Sequence, residues 1–316
     1  MGTFQRPLAG CVVNVSVSES DDSTDRGFPA WQVNRVTLQV VAALFGQGSS
    51  IAFGHDWRED GVMEAVYGYA RQVQPPVPLR PEEAAATAQP LLLNFLPWPD
   101  APFLPPRDLE RLHSTLRVVS ADLPPQLKGF DAEARHDGPR SDLYHYLRAR
   151  GLTYLRQRLN AESHARLCLG GRRGGSAGRF PGVIEEAYLA VQAGKPLYVA
   201  GLLGGASQQV LDAMEGKKMP ADFCDPRGLP AQHLYRELKI EEAAETASDR
   251  LTDRDVVWEA FVSAGRGSGI TEANRLSRDE NQELFHTPVL DRAIELVLTV
   301  LSRLHRAAIA RDYRQS

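Results

Sequence analysis

Residues 167–186 read LCLGGRRGGSAGRFPGVIEE. The apolar start of this segment predicts a buried strand, and Pro181 marks the first turn of a helix, where proline is well tolerated. The segment contains six glycines, most of them in the turn between the two elements. Glycines let the backbone approach a ligand closely, and the free amides at the start of a helix attract anions. The segment therefore predicts a strand, an anion-binding loop and a helix in succession.

Apolar runs rich in valine, leucine and isoleucine recur along the chain and alternate with longer helical patterns. The predicted strands are Cys11–Val17, Ser50–Gly54, Leu91–Phe95, Leu116–Val119, Ala165–Leu169 and Pro196–Ala200. The predicted helices are Trp31–Phe45, Val62–Gln72, Leu143–Asn160 and Val183–Ala193, each with apolar positions three and four apart. This alternation predicts an α/β fold, a Rossmann-like parallel sheet flanked by helices.

The C-terminal part of the chain has a different pattern. It is helical in character and ends in an amphipathic run at Val289–Ala310, while the glycine-rich segment Gly265–Gly269 indicates a mobile loop. We therefore predict a Rossmann-like ligand domain over residues 1–220. The predicted helical C-terminal extension, residues 221–316, either packs on that domain or forms an oligomer interface. The proline-rich stretches 75–90 and 97–106 read as insertions.

Composition and charge limit the classes of partner. The 316 residues are 43% hydrophobic and 24% charged, which is typical of a globular protein. The formal net charge of −4 gives no overall electrostatic attraction for polyanions, so duplex nucleic acid is not an expected partner. The three cysteines lack the paired spacing of zinc sites. The sequence contains no run of about 18 apolar residues, so no membrane span is predicted. These features indicate a cytoplasmic protein without membrane contact.

The glycine segment also excludes some nucleotide-binding motifs. No Gly-Lys-Ser or Gly-Lys-Thr follows the glycines, and their spacing is not a convincing dinucleotide fingerprint. Arg172, Arg173 and Arg179 can supply charge to phosphate, and Glu185 or Glu186 can accept hydrogen bonds from ribose hydroxyls. The alternative is that the arginines are solvated and the glutamates only complement the helix dipole.

Polar residues follow the other predicted strands where those strands end. Ser16 and Ser18 alternate at the end of the first strand and can bind phosphate or ribose, or else belong to an ordinary polar loop. The adjacent pair Asp21-Asp22 lacks the further carboxylates that a magnesium site needs, so no metal or other cofactor is expected. Ligands in open parallel sheets bind beyond the carboxyl ends of strands, which adds Gly54, Asp56 and Arg58 after the second strand. Gly204, in the glycine turn after the sixth strand, lies at the same edge.

Three of these segments resemble the SLOG superfamily, which groups lonely-guy phosphoribohydrolases, DprA-like proteins and nucleotide-sensing domains of prokaryotic conflict systems. The segments are Val15–Ser20, Phe53–Arg58 and the glycine segment with Glu185-Glu186, and the resemblance spans roughly Cys11 to Ser207. In lonely-guy enzymes the turn reads Pro-Gly-Gly-x-Gly-Thr. Here Leu169 replaces the proline and no threonine follows the glycines, so the layout is closer to sensing members that recognise cyclic ADP-ribose derivatives.

The resemblance implies a ligand set as well as a function. An upstream arginine, the glycines and a helix glutamate hold the ligand in those relatives, which corresponds here to Arg156 or Arg158, Gly170 with Gly171, and Glu185 or Glu186. The complete set of expected ligand-binding residues is Ser16, Ser18, Gly54, Asp56, Arg58, Arg156, Arg158, Gly170, Gly171, Arg172, Arg179, Gly182, Glu185, Glu186 and Gly204. Neighbouring helix residues project about 100° apart, so only one of the two glutamates is expected to face the crevice, with the other a surface charge.

These observations lead to one expected function and two alternatives. The leading expectation is a non-catalytic sensor of a nucleotide-derived molecule, such as ADP-ribose or cyclic ADP-ribose, in bacterial anti-phage or stress signalling. We expect a homo-oligomer, because the C-terminal helix carries regularly spaced aliphatics, and an effector protein as a further partner. The first alternative is a hydrolase of the N-glycosidic bond of nucleoside monophosphates or related nucleotides, in which Glu185 or Glu186 stabilises the developing positive charge. The second alternative is an assembly component whose pocket has lost its ligand.

Overall fold

The computed structural model of this chain describes residues 6–54, 62–73, 91–99, 115–224 and 254–315. Six strands in these ranges form one parallel sheet in the order β4-β3-β2-β1-β5-β6. They are β1 (Val12–Ser18), β2 (Ser50–Gly54), β3 (Leu92–Pro97), β4 (Leu116–Ala121), β5 (Ala165–Gly170) and β6 (Leu197–Ala200). Each strand lies within two residues of its predicted bounds, because buried parallel strands give short, almost continuous apolar runs.

Helices connect the strands and cover both faces of the sheet. They are α1 (Ala30–Gly46), α2 (Val62–Val73), α3 (Asp131–Asp137), α4 (Asp142–Glu162), α5 (Gly182–Gln192), α6 (Gly205–Met214), α7 (Arg254–Arg266), α8 (Gly269–Asn274), α9 (Arg278–His286) and α10 (Leu290–Gln315). On one face, Val13, Val15 and Ile51 share a core with α1, α2 and α10. On the other face, Cys168 and Val199 pack with α5, α6 and α7. The predicted α/β class, a Rossmann-like parallel sheet flanked by helices, is confirmed.

The strand order creates a crevice beside the central strand. The chain passes from β1 to β2 on one side, and β5 lies against β1 on the other side. Open parallel sheets bind ligands at such a reversal, beyond the carboxyl ends of the strands. The pairing of β1 with β5 continues to Ser18 and Gly170, so the two strands end together at this edge.

The C-terminal helices pack on the sheet domain. α7 contacts α5 and α6, and its Trp258 and Phe261 are buried in the same core as Val199. At the outer strand, the Tyr198 hydroxyl donates to the Asn274 carbonyl at 3.1 Å. Gly265–Gly269 was predicted to be a mobile loop, but Gly265 and Arg266 end α7 and Gly269 begins α8, so only Gly267 and Ser268 connect the two helices. A Cβ at Gly265 would collide with the Met214 carbonyl, so this glycine permits close helix packing. Among the described residues, no helix combines the length and apolar character needed to cross a membrane.

Candidate ligand-binding site

Two glycines turn the chain at the end of β5. Gly170 and Gly171 have φ values of +65° and +94°, a region that other residues rarely adopt. A Cβ at Gly170 would collide with the Ser18 carbonyl oxygen, and one at Gly171 would lie 2.6 Å from Val183 Cγ2. The Gly171 amide donates to the Ser18 carbonyl at 3.0 Å. The turn is therefore built against the end of β1, as the register predicts.

A second glycine turn, at Gly204 and Gly205, contacts the first. A Cβ at Gly205 would collide with the Gly171 carbonyl, and the Ala206 amide donates to that carbonyl at 2.7 Å. Gly204 has a φ of +69° and lies against the Asp22 carboxylate. The turns after β5 and β6 thus interlock at one end of the crevice.

A cavity of about 680 Å³ lies over this edge of the sheet. Its walls are the loop after β1, the glycine loop and residues near the end of the central described segment, namely Glu19, Ser20, Asp21, Arg172, Arg173, Gly174, Gly175, Pro181, Asp222 and Cys224. Small-molecule sites commonly measure about 300–1,000 Å³, so the volume suits a nucleotide. The cavity is the crevice that the strand order predicts.

The charged groups of the cavity fall into paired and unpaired sets. Arg173 is paired, because its amide donates to Asp21 at 3.1 Å and its guanidinium to Asp22 at 3.2 Å. Arg172 is exposed and forms no ion pair with another described residue. Glu19 is half-buried and likewise has no partner in the described ranges. Among the described residues that line the cavity, Arg172 is therefore the cation and Glu19 the carboxylate without a partner, while Asp222 accepts a hydrogen bond from Gln209 at 3.3 Å.

Asp22 joins three segments around the site. Its carboxylate accepts hydrogen bonds from the Gly205 amide at 2.8 Å and from Arg26 Nε at 3.0 Å. Partial burial acts to raise the pKa of this carboxyl, but the hydrogen bonds from Arg26 and Gly205 and the charge of Arg173 outweigh burial and hold the pKa below its usual value. Asp22 thus remains ionised and caps the start of α6.

The first predicted glutamate, Glu185, is buried beneath the glycine loop. It forms an ion pair with Arg156, and the Thr153 hydroxyl donates to it at 2.5 Å. A Cβ at Gly178 would lie 2.7 Å from Arg156 Nη1, and one at Gly182 would lie 3.1 Å from Nη2. The loop therefore rests on the Arg156 guanidinium, and these two glycines make room for it.

The second glutamate, Glu186, is held on the sheet side of α5. It pairs with Arg166 Nη1 at 2.7 Å and accepts a hydrogen bond from the Ser16 hydroxyl. The side chain of Arg166 is only 1% exposed and that of Glu186 15%. The expectation that one glutamate is a surface charge is therefore wrong. The start of α5 lies between α4 and the β1–β5 pair. Two neighbouring side chains that project about 100° apart therefore both contact other parts of the protein.

The structure separates the other expected site residues into groups. Arg172 lines the cavity, whereas Gly170 and Gly171 form the buried turn that leads into it, and Ser18 is exposed where β1 ends. Arg158 points elsewhere, since it is 40% exposed and lies 3.5 Å from Glu162. The Arg179 guanidinium lies 5.3 Å from the centre of the Phe180 ring.

Three further expected positions lie at the end of the second strand or follow it in the sequence. Gly54 faces Leu155 and Leu159 of α4. Asp56 and Arg58 lie outside the described residues.

Sequence reasoning missed Arg166, the partner of Glu186. It lies in β5, where every residue is buried, and its Nη1 also donates to Asn14 at 2.8 Å. A charged residue within an apolar strand was the signal that could have revealed it, since buried charges require partners. Asp222 and Cys224 were also missed, because no local motif marks them.

A second, smaller cavity of about 310 Å³ lies between the end of α6 and α7. It is lined by Gly216, Lys217, Lys218, Met219, Asp255, Trp258, Glu259, Val262 and Arg266. Lys217 is paired there with Asp212 and Glu215, both at 2.8 Å. Across the described ranges, no cluster of three or more histidine, cysteine, aspartate or glutamate side chains is arranged to hold a metal ion.

A parallel sheet with a glycine-lined crevice at its strand reversal defines a Rossmann-like protein. The model of the family SLOG cluster2 matches residues 7–284, and the chain belongs to this family. The match covers both the glycine loop and the helices up to α9. Membership suggests nucleotide-related binding or processing. Searches among curated proteins and among solved structures found no match.

Proposed function

We propose that this chain binds a nucleotide-derived small molecule of the ADP-ribose or cyclic ADP-ribose class and does not hydrolyse it. One observation carries the proposal. Beside the glycine loop, the crevice presents an arginine that has no ion-pair partner among the described residues, while both glutamates that a hydrolase would use are paired with buried arginines.

Phosphate binding is assigned to the glycine-loop wall of the crevice. Arg172 is exposed there, and its guanidinium is unpaired within the described part of the chain. A guanidinium binds phosphate oxygens through two parallel hydrogen bonds, and backbone amides near the start of α5 add partial positive charge. This wall suits a phosphate or pyrophosphate group.

Ribose binding is assigned to the opposite wall, formed by the loop after β1. Glu19 lines this wall and Ser18 is exposed next to it at the end of β1, so they provide a carboxylate and a hydroxyl for vicinal diols. A ligand that carries phosphates at one end and ribose hydroxyls at the other matches this division. ADP-ribose and its cyclic form have both groups.

The burial of Glu185 and Glu186 argues against the hydrolase alternative. A general base has to reach the proton that it removes, directly or through one water. Each carboxylate instead faces a buried arginine, and neither lines the cavity. In this proposal Glu185 supports the glycine loop through Arg156, and Glu186 holds α5 on the sheet through Arg166.

The biological setting is part of the proposal and rests on the resemblance to sensing SLOG proteins. We place the chain in the bacterial cytoplasm, in anti-phage or stress signalling, where ligand binding changes the contact with an effector protein.

A binding assay combined with product analysis tests the proposal. The full chain is titrated with AMP, ADP-ribose and cyclic ADP-ribose by calorimetry, and each mixture is then analysed for free base by chromatography. The expected result is saturable binding of ADP-ribose or its cyclic form with no base released. Base release with turnover would establish the hydrolase alternative. No binding by any of the three would contradict the proposal and favour a pocket without ligand.

A further inference from the structure

The loop after β1 places its own carboxylates on backbone amides at the site. Asp21 accepts a hydrogen bond from the Arg173 amide, and Asp22 accepts one from the Gly205 amide. Amides in such strand-to-helix turns are the groups that bind phosphate oxygens. The Arg173 amide at the crevice and the buried Gly205 amide at the start of α6 are thus both occupied by the protein's own carboxylates.

The two carboxylates are held to different extents. Asp22 has three partners, Arg26, Arg173 and the Gly205 amide, and it packs against Gly204. Asp21 is exposed at the cavity, and within the described ranges its carboxylate has a single hydrogen bond, at 3.1 Å, from the Arg173 amide. An exposed single hydrogen bond is readily exchanged, because water and ions compete for both groups. Asp22 is therefore an anchor, whereas Asp21 is exchangeable.

We propose that Asp21 is an internal competitor of the ligand phosphate, which displaces its carboxylate from the Arg173 amide on binding. This inference rests on the proposed function, since it concerns the same crevice. When a binding-competent state is only partly populated, the apparent affinity falls by that fraction. The contact made by Asp21 therefore lowers the apparent affinity of the site for the ligand phosphate. The affinity would be higher if the Arg173 amide were free.

The exchange is confined to the Asp21 side chain. The Ser20 hydroxyl donates to the Leu203 carbonyl at 2.6 Å, and Asp22 accepts a hydrogen bond from the Gly205 amide at 2.8 Å. Because both neighbours of Asp21 are anchored, the ligand displaces its carboxylate without opening the turn at Gly205.

The test compares two substitutions with the same change in charge. Asp21→Asn removes the competing charge, and Asp25→Asn is the matched control in the same loop. Asp25 is exposed and forms no hydrogen bond or ion pair with a described residue. Affinity for ADP-ribose and for AMP is measured by calorimetry at 0.15 M salt, where the Debye length of about 8 Å suppresses general charge effects. We expect Asp21→Asn, and Asp21→Ala as a second variant, to bind at least about threefold more tightly than Asp25→Asn.

The outcomes separate this inference from the proposed function. If the parent protein binds ADP-ribose and both Asp21 variants bind it no better than Asp25→Asn, only the internal competitor is contradicted. If the parent and all three variants bind neither probe, the proposed function fails and the inference fails with it. Loss of folding in both Asp21 variants would also contradict the inference, because an exchangeable carboxylate is not required for the fold.

Discussion

Substitution of Arg172 tests the phosphate contact on which the proposed function depends. A charge-assisted hydrogen bond contributes about 1.5–3 kcal/mol, so Arg172→Ala should weaken ADP-ribose binding by roughly ten- to a hundredfold. The unfolding free energy should stay within about 0.5 kcal/mol of the parent, because the side chain is exposed. Calorimetric titration and urea denaturation measure the two quantities.

Arg158→Ala is the matched control for this substitution, since Arg158 is the alternative arginine of the predicted ligand set and lies on the surface beside Glu162. It should bind like the parent. If Arg172→Ala and Arg158→Ala bind ADP-ribose with equal affinity, Arg172 does not bind the phosphate.

The two adjacent glutamates should behave alike in stability measurements. Removing one partner of a buried ion pair typically costs about 3–5 kcal/mol, because the other charge remains buried. Glu185→Gln and Glu186→Gln should each lower the unfolding free energy by about 3 kcal/mol, as measured by urea denaturation. Glu162→Gln is the control, since the ion pair of Glu162 with Arg117 is exposed. If either variant is as stable as Glu162→Gln, the supporting role of that glutamate is wrong.

For single residues, the sequence predicted which residue types occur at this edge of the sheet better than it predicted where their side chains point. The glycine turn and Arg172 were predicted at this edge of the sheet, because a strand, a glycine turn and a helix in succession carry a local physical signal. The orientation of Glu185 and Glu186 was not predictable, because helix spacing fixes the angle between them but not what surrounds the helix. Arg166 supplies that missing information, and it lies about 20 residues away in the chain.

Among the elements, the interlocked glycine turns define the shape of the crevice. Gly171→Ala should destabilise the protein by about 2–3 kcal/mol, because φ is +94° and a Cβ would overlap Val183. Gly174→Ala in the same loop is the control, since a Cβ there meets no atom within 4 Å. Thermal and urea unfolding of both variants provide the measurement. A neutral Gly171→Ala would mean that the turn adopts another geometry.

Whole elements were predictable where periodicity is strong. The predicted helix Val183–Ala193 corresponds to α5 and the predicted strand Ser50–Gly54 to β2, because their apolar spacing is local information. Gly265–Gly269 was misinterpreted, because glycine marks a flexible turn and a close helix contact equally well. Only the position of Met214, which is distant in sequence, distinguishes the two.

At the scale of the molecule, α10 bears on the predicted homo-oligomer. Its aliphatics Leu290, Ile294, Leu298 and Leu304 pack against the core beside α1, so the chain itself covers much of that apolar face. Val289 remains 54% exposed at the start of this helix. The prediction of a homo-oligomer stands on the family resemblance, and light scattering at micromolar concentration should give a mass of at least twice 34.8 kDa. A mass of one chain, with and without ADP-ribose, would contradict it.

The location of the site is the central claim, and hydrogen–deuterium exchange with mass spectrometry tests it most directly. Bound ligand slows exchange of the amides that it covers or orders. With saturating ADP-ribose, we predict protection in residues 172–175 and 19–21, which line two walls of the larger cavity. Protection confined to residues 216–219 and 255–266, which line the smaller cavity, would contradict it.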